Sequence, residues 1–299
     1  MPDLAFLGPE GTFTHRAALD LAREGETLRP LDHAEEVVSA LTEGRVDSAV
    51  IAFENSLEGP VSANLDLLLA TNGEILITGE RVLPVVFGLW RRPDDETPLQ
   101  AVTAHAFGLA QCSRFIRERG LQTKVASSNG VACREVAAST EPGWGALAGP
   151  EAGARHGLVL VEERLHDAEA STRFLRLGRQ SPAPTGRDLS AFVLYPDHLR
   201  SGSLVSLLQE FAIRDINLTS IKSRPTKELL GEYVFFVEAE GHLREQRLRD
   251  ATTGLLRSLA DVRFLGSYPQ DRDRQSSARR HDDDAIAARL QAMVERTAR

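Results

Sequence analysis

Ser171–Phe174 places a hydroxyl beside a guanidinium, because Thr172 directly precedes Arg173. A hydroxyl of this kind can protonate or hydrogen-bond a leaving oxygen while the guanidinium holds a carboxylate. A strand that returns between two lobes, with both side chains at the surface, would carry the same short string. The segment alone therefore leaves acid catalysis and a structural strand open.

Two more segments with polar side chains follow predicted strands. Gly8–Thr14 could present backbone N–H groups and hydroxyls to an anion, or form a turn in which Thr14 caps a helix. It matches neither the dinucleotide-binding glycine pattern nor a Walker A loop. Phe53–Gly59 contains Glu, Asn and Ser at positions 54–56, which suits either a polar site at a strand end or a solvated loop.

Two further candidate sites precede predicted helices in the next part of the chain. His105 could bind an anion or donate a proton, and the alternative is a capping or core histidine. Ser127 and Ser128 could cradle an anion or cap the helix that follows them. Cys112 is expected to be a buried small apolar residue.

These segments must be positioned by more than one domain. From Leu4 to Val161, short apolar runs alternate with amphipathic stretches, which predicts an α/β domain over residues 1–180 with two lobes and a cleft between them. Ser181–Gly186 is rich in Pro and marks a domain boundary. The βαββαβ order over residues 188–269 predicts a ferredoxin-like unit, and residues 270–299 form a charged tail.

Composition limits the class of protein. The 299 residues are 42% hydrophobic, which is enough to bury two cores. Lys and Arg number 35 against 43 Asp and Glu, and this net charge of −8 argues against a nucleic-acid partner. Two cysteines exclude a disulfide scaffold and a four-thiolate zinc site. No signal peptide and no run of ~20 apolar residues is present, so we expect a cytoplasmic protein with no membrane partner.

Taken together and in order, the segments resemble the prephenate dehydratase family, in its monofunctional form with a C-terminal ACT domain. The resemblance runs from about Leu4 to Tyr268. It rests on Gly8-Pro-Glu-Gly-Thr-Phe, Glu54-Asn-Ser with Gly59, His105 with Gln111-Cys112, the Ser127 segment, Thr172-Arg-Phe, Gly202-Ser-Leu-Val and Ser223-Arg-Pro.

The resemblance implies a catalytic domain of two lobes, like a type II periplasmic binding protein, with the substrate prephenate between them. Loss of CO₂ and the ring hydroxyl yields aromatic phenylpyruvate, and aromatisation drives the reaction, so neither a metal nor a cofactor is expected. The resemblance also implies an ACT domain that binds L-phenylalanine as a feedback effector, in a homodimer or homotetramer.

The same resemblance assigns roles to individual residues. Thr172 donates to the leaving hydroxyl, and Arg173 orients a carboxylate or braces the motif. The substrate-binding candidates are Thr12, Glu54, Asn55, Ser56, His105, Ser127 and Phe174, the last packed under the site. The effector-binding candidates are Gly202, Leu204, Val205, Asn217, Ser223, Arg224 and Pro225.

Several positions depart from the family pattern. Phe53 replaces the usual Ile before Glu-Asn-Ser, and Ala170 stands near the place of a usual Asn before Thr-Arg-Phe. Lys222 replaces the Glu of Glu-Ser-Arg-Pro, and Ser201 and Ser203 replace Pro and Ala. These departures keep two alternatives open: a decarboxylase that leaves the ring non-aromatic, and a ligand sensor without catalysis.

Overall fold

The computed structural model describes residues 1–196, 202–226, 232–272 and Met293. The predicted turn at Glu228–Gly231, Ser201 and the predicted helix at Ile286–Val294, apart from Met293, lie outside these residues. Alternating apolar and amphipathic stretches fold, as predicted, into a mixed α/β structure. The first stretch forms β1 (Asp3–Leu7), α1 (Phe13–Leu21), β2 (Thr27–Leu31), α2 (Ala34–Thr42), β3 (Ser48–Asn55), β4 (Gly59–Pro60), α3 (Ser62–Ala70) and β5 (Leu76–Pro84).

A second set of elements forms a separate sheet. It contains β6 (Gly88–Arg91), β7 (Ala101–Ala104), α4 (Ala106–Gln111), α5 (Ser113–Glu118), β8 (Gln122–Val125), α6 (Asn129–Ala138), β9 (Trp144–Ala148) and β10 (Val159–Glu162). The chain then returns as β11 (Ser171–Gly178), which lies between β3 and β5 in the first sheet. The two sheets form two lobes that are joined by two crossings of the chain.

The strand order explains why the site segments meet. The first sheet has the order β2-β1-β3-β11-β5, and the second has the order β10-β6-β9-β7-β8. β1 and β3 run parallel, so the loops that follow them lie at the same end of the sheet, beyond the carboxyl ends of both strands. β11 is antiparallel to β3, so the first residues of β11 lie at that same end.

Two predicted helices are wrong, and some strands are not predicted. The pattern predicts one helix over Ala106–Arg119, but the chain breaks at Cys112, whose φ of −112° and ψ of 25° are not helical. The helix predicted over Pro150–Arg155 is only a 3₁₀ turn at Ala154–His156. The pattern does not predict β2, because this five-residue strand is mostly exposed and contains Pro30, which is disfavoured inside strands.

The last described region has the predicted βαββαβ order. Its elements are β12 (Asp188–Tyr195), α7 (Ser203–Ala212), β13 (Leu218–Pro225), β14 (Tyr233–Glu240), α8 (Gln246–Ser258) and β15 (Asp261–Pro269). The sheet order is β13-β14-β12-β15. No helix among the described residues is long and apolar enough to cross a membrane.

The two faces of this last sheet have different neighbours. One face packs on α7 and α8 through Phe192 and Val237. The other shares a buried core with the first lobe, in which Phe236 and Tyr268 join Leu175. Gly266, at φ +119°, allows β15 to approach β5, since a Cβ there would collide with the backbone of Ile77. The domain boundary in sequence is therefore not a boundary in packing.

Candidate active site

Thr172 lies beside Asn55 in the first sheet, at the end of β3 and the start of β11. The two residues are paired across β11 and β3, and Asn55 Nδ2 donates a 3.0 Å hydrogen bond to Thr172 Oγ1. Phe174 packs against α1, so alternation along the strand turns Thr172 to the same face. Among the described residues, no acceptor takes the hydroxyl proton of Thr172, which leaves it available to a ligand.

The orientation of the Asn55 amide is set by its own loop. Its Oδ1 accepts from the backbone N–H groups of Leu57, at 2.9 Å, and Glu58, at 3.1 Å. Only the NH₂ end can then face Thr172. An N–H donor at Oγ1 stabilises the negative charge that develops there as the hydroxyl gives up its proton. The pair is therefore arranged to make Thr172 a better hydrogen-bond donor.

Ser56 ties the loop after β3 to the start of β11. Its backbone N–H donates to the carbonyl of Ser171 at 2.9 Å, and its hydroxyl accepts from the Ser171 N–H at 3.0 Å. These bonds hold the residue before Thr172 against the residue after Asn55. Ser56 therefore has a structural role, and because no described residue accepts its hydroxyl proton, the exposed hydroxyl can still donate to a substrate as predicted.

Thr12 caps α1, so the expectation that Thr14 would do so is wrong. Thr12 Oγ1 accepts from the N–H of His15 at 3.2 Å and donates to the carbonyl of Pro9 at 3.0 Å. His15 Nδ1 in turn accepts from the N–H of Gly11 at 3.2 Å. The Thr12 hydroxyl therefore shapes its own loop and has no proton left for a substrate in this arrangement.

A cavity of about 320 Å³ opens beside Thr12, between the first lobe and the segment after β9. Leu83, which pairs with Thr172 on the neighbouring strand, lines it. Ion pairs from Arg16 to Glu151 and from Arg155 to Glu10 join the two lobes at this cavity. The cavity therefore reaches the strand next to Thr172, although Thr172 and Asn55 do not themselves line it.

The second lobe contributes two capped helices to the site. His105 is exposed and caps α4, with Nδ1 accepting from the N–H of Phe107 at 3.3 Å, while Asn129 Oδ1 accepts from the His105 N–H at 3.0 Å. Ser128, and not Ser127, caps α6. Ser127 is exposed at the end of β8, where its hydroxyl can reach a ligand.

Both cysteines are buried, as expected for Cys112. Burial raises the pKa of the Cys112 thiol to about 12, with the charge of Asp167 adding to the effect. Burial raises the pKa of Cys133 to about 12 as well. Neither cysteine is a thiolate nucleophile near neutral pH.

Arg173 points to the opposite face of β11 from Thr172. Its guanidinium donates to Glu80 Oε2 at 2.5 Å and to both carboxylate oxygens of Glu238, at 2.6 and 2.8 Å. Tyr268 Oη accepts a further bond at 3.0 Å. Burial alone would lower the pKa of Arg173, but Glu238, Tyr268 and Glu80 together raise it well above its usual value. The guanidinium is buried among these three partners on the face away from Thr172, which favours the bracing role over the binding of a substrate carboxylate.

The predicted effector residues divide by the direction of their side chains. Gly202 adopts φ +83° before α7, and Leu204 and Val205 are exposed near it. Asn217 Nδ2 donates to Glu240 at 3.0 Å, while Arg224 Nη2 donates to Ser62 of the first lobe at 2.7 Å. Ser223 and Pro225 are exposed on the other face of β13.

Sequence reasoning missed the residues that join the last domain to the first lobe. Lys222 Nζ binds Glu54 Oε2 at 3.1 Å, and Glu238 binds Arg173. Glu54 therefore forms an ion pair with Lys222, and its side chain lies on the opposite face of the sheet from Thr172. Alternation in β13 places Lys222 and Arg224 on one face of the strand. It indicates an interdomain contact for them only once that face is known to pack on another domain.

Fold and site define the class of protein. It is a two-lobed α/β protein with a hydroxyl–amide pair, Thr172 and Asn55, at the end of the first sheet, and a βαββαβ domain follows. A sequence model of prephenate dehydratase matches residues 4–182. Prephenate dehydratase of Amycolatopsis methanolica is 37% identical over 273 residues, covering 90% of this chain and 88% of that one. The chain belongs to the prephenate dehydratase family, whose members are hydro-lyases.

Solved structures show the same fold over nearly the whole chain. The prephenate dehydratase of Arthrobacter aurescens, solved in complex with L-Phe, has a TM-score of 0.80 at 31% identity and covers 99% of both chains. GqqA, described as a novel type of quorum-quenching acylase, has a TM-score of 0.81 at 25% identity and covers 91% of this chain and 100% of its own.

Proposed function

We propose that this prephenate dehydratase works by hydrogen-bonding the departing ring hydroxyl through Thr172, with loss of CO₂ and formation of phenylpyruvate. The observation that carries the proposal is the 3.0 Å bond from Asn55 Nδ2 to Thr172 Oγ1. It leaves the Thr172 proton free and directs the hydroxyl by a rigid neighbour.

The chemistry needs few groups. Hydroxide is a poor leaving group, and a positioned donor contributes roughly 10²–10⁴-fold to its expulsion. The ring carboxylate loses its charge as CO₂ departs, which a site with little water favours. Ser127 and His105 are exposed at the second lobe's edge, where they can contact the carboxylates of the substrate.

Two other activities make different demands on the site. A decarboxylase that spares the hydroxyl needs a proton donor to a ring carbon, whereas the Thr172–Asn55 pair suits a departing oxygen. An acylase needs an activated nucleophile. In the described part of the chain, no histidine is hydrogen-bonded to a serine or cysteine side chain, and both thiols have a pKa of about 12.

One assay tests the proposal. The protein is incubated with prephenate, and phenylpyruvate is followed by its enol absorbance in alkali. Rapid formation of phenylpyruvate is expected. Conversion of prephenate to a non-aromatic keto acid would establish the decarboxylase instead, and saturable binding without turnover would establish the sensor.

We also propose that residues 188–269 form an ACT domain that binds L-phenylalanine and inhibits the enzyme, in a homodimer or homotetramer. The βαββαβ order and the exposed Gly202 loop support this. The similar Arthrobacter aurescens protein forms a complex with L-Phe. Addition of L-phenylalanine should raise the melting temperature and lower activity. No change in either would contradict the regulation.

Two free, buried cysteines fit the proposed cytoplasmic location.

A further inference from the structure

Lys222 extends from the last domain to the strand that carries Asn55. Its Nζ lies 3.1 Å from Glu54 Oε2, and its side chain is only 12% exposed. The same ammonium lies 4.7 Å from the ring centre of Phe53 and 5.8 Å from that of Phe236. An ammonium held between a carboxylate and two aromatic faces is restrained in position, since each contact favours one geometry.

The two unusual residues of these segments contact each other. Phe53 and Lys222 both depart from the family pattern, and the structure brings the ring of one under the ammonium of the other. Phe53 also packs on Phe236, with ring centres 5.3 Å apart. Phe53 therefore contacts the last domain through both Lys222 and Phe236, and Lys222 contacts the first lobe through both Glu54 and Phe53.

Lys222 does not face the exposed side of β13. Alternation along the strand turns Lys222 and Arg224 to the first lobe, while Ile221 and Ser223 are exposed on the other face. An effector that binds the exposed face can move β13 without touching Lys222. Such a movement reaches Glu54 directly, because the ammonium binds its carboxylate.

Glu54 is one residue away from the hydroxyl–amide pair. It precedes Asn55 in β3, and Asn55 donates to Thr172. The path from β13 to the site is thus Lys222 to Glu54 to Asn55, three successive groups in contact.

We propose that Lys222 couples the occupancy of the effector site to the geometry of Asn55 and Thr172. This inference rests on the proposed regulation by L-phenylalanine and assigns it a specific contact. Lys222 is neither an effector ligand nor a catalytic residue in this scheme. Its removal therefore separates effector binding from inhibition.

The experiment compares three variants of the full-length protein. Lys222→Met keeps a long, unbranched side chain and removes the positive charge, while Lys222→Arg retains the positive charge. Lys124→Met is a matched control, because Lys124 also binds a glutamate, at 3.1 Å, and lies over an aromatic ring, at 5.5 Å. Calorimetry gives the Kd of L-phenylalanine, and the prephenate assay gives kcat/KM with and without it.

The expected result is specific to coupling. Lys222→Met binds L-phenylalanine within about threefold of wild type and retains kcat within about threefold, but its inhibition falls at least tenfold. Lys222→Arg keeps most of the inhibition, and Lys124→Met keeps all of it. By linkage, phenylpyruvate should alter the Kd of L-phenylalanine in wild type and not in Lys222→Met.

Other outcomes overturn the inference in distinguishable ways. Unchanged inhibition in Lys222→Met contradicts the coupling alone, and lost binding would make Lys222 an effector ligand. A large loss of kcat without L-phenylalanine would make it a positioning residue for catalysis. A wild-type protein that does not bind L-phenylalanine would overturn the regulation and the coupling with it. If Lys222→Met does not melt cooperatively, Lys222→Gln takes its place under the same criteria.

Discussion

The two faces of β11 carry neighbouring motif residues with opposite surroundings. Thr172 is half-buried at the interlobe edge and receives one hydrogen bond, from Asn55. Arg173, the next residue, is buried against the last domain and is held by Glu80, Glu238 and Tyr268. A side chain with an unused proton can serve a ligand, whereas one that is buried and held by three partners fixes the strand. One strand thus presents a reactive group on one face and holds it rigid from the other.

The largest expected effect is on turnover, at the face that borders the cleft. Thr172→Val keeps the shape of the side chain and removes the proton donor, so kcat should fall about 10³-fold while the melting temperature stays close to wild type. Thr172→Ser retains a hydroxyl and should keep most of the activity. The phenylpyruvate assay and a thermal melt measure both quantities, and an active valine variant would remove Thr172 from the chemistry.

The opposite face should respond in stability. Arg173→Met leaves Glu80 and Glu238 buried without their cation, which costs about 3–5 kcal/mol of unfolding free energy. Denaturant titration measures the loss. Arg45→Met is the control, because its pair with Glu43 is exposed and is worth about 0–1 kcal/mol. Equal losses in the two variants would contradict the distinction between the buried cluster and the surface pair.

A smaller effect is expected at the amide that directs the hydroxyl. Asn55→Asp preserves the acceptor for the N–H groups of Leu57 and Glu58 but cannot donate to Thr172 when ionised. Loss of that hydrogen bond should lower kcat about 10–100-fold. Combining Asn55→Asp with Thr172→Val should add little to the valine variant alone, since both act on one bond. Full additivity in this cycle would show that the two residues act separately.

The smallest effect concerns pH and the loop before α1. Burial lowers the pKa of His15 from 6.5, and the charge of Arg155 lowers it further, while Glu10 and Glu151 oppose both. Because the neutral form is favoured in the fold, His15 contributes stability that is complete above pH 6.5 and is lost as pH falls through the lowered pKa.

The difference in melting temperature between wild type and His15→Gln should therefore shrink as pH falls below 6.5. Melts across pH 5–8 at constant salt measure this difference. A difference that stays constant with pH would show that His15 does not titrate as a buried neutral group. Arg16 and Asp20, which line the same cavity, are kept unchanged in both proteins.

Local patterns predicted much of the fold, because the spacing of apolar residues differs between helices and strands and can be read from the sequence alone. The short apolar run at Ser48–Phe53 and the amphipathic stretch at Asn129–Ala138 both form the expected elements. β2 was missed because it is a short edge strand with Pro30 inside it, and it buries too little to leave an apolar period. The helix break at Cys112 also leaves no mark in the apolar pattern.

The site was less predictable, because the direction of each side chain depends on tertiary neighbours. The motif Thr172-Arg173 indicates that both residues matter, but only the packing of the last domain shows that Arg173 faces Glu238. Lys222 and Glu54 lie 168 positions apart, and no local pattern joins them. Likewise, the sequence predicts Thr14 as the helix cap, and only the observed helix start at Phe13 shows that Thr12 is the cap.

The most direct test of the role of Thr172 is the heavy-oxygen isotope effect on kcat/KM at the leaving hydroxyl of prephenate. A hydrogen bond from Thr172 offsets part of the stiffness lost as the C–O bond breaks, so a larger isotope effect is expected in Thr172→Val than in wild type or Thr172→Ser. An effect in the valine variant no larger than that of wild type would contradict the assignment of Thr172 to the departing oxygen.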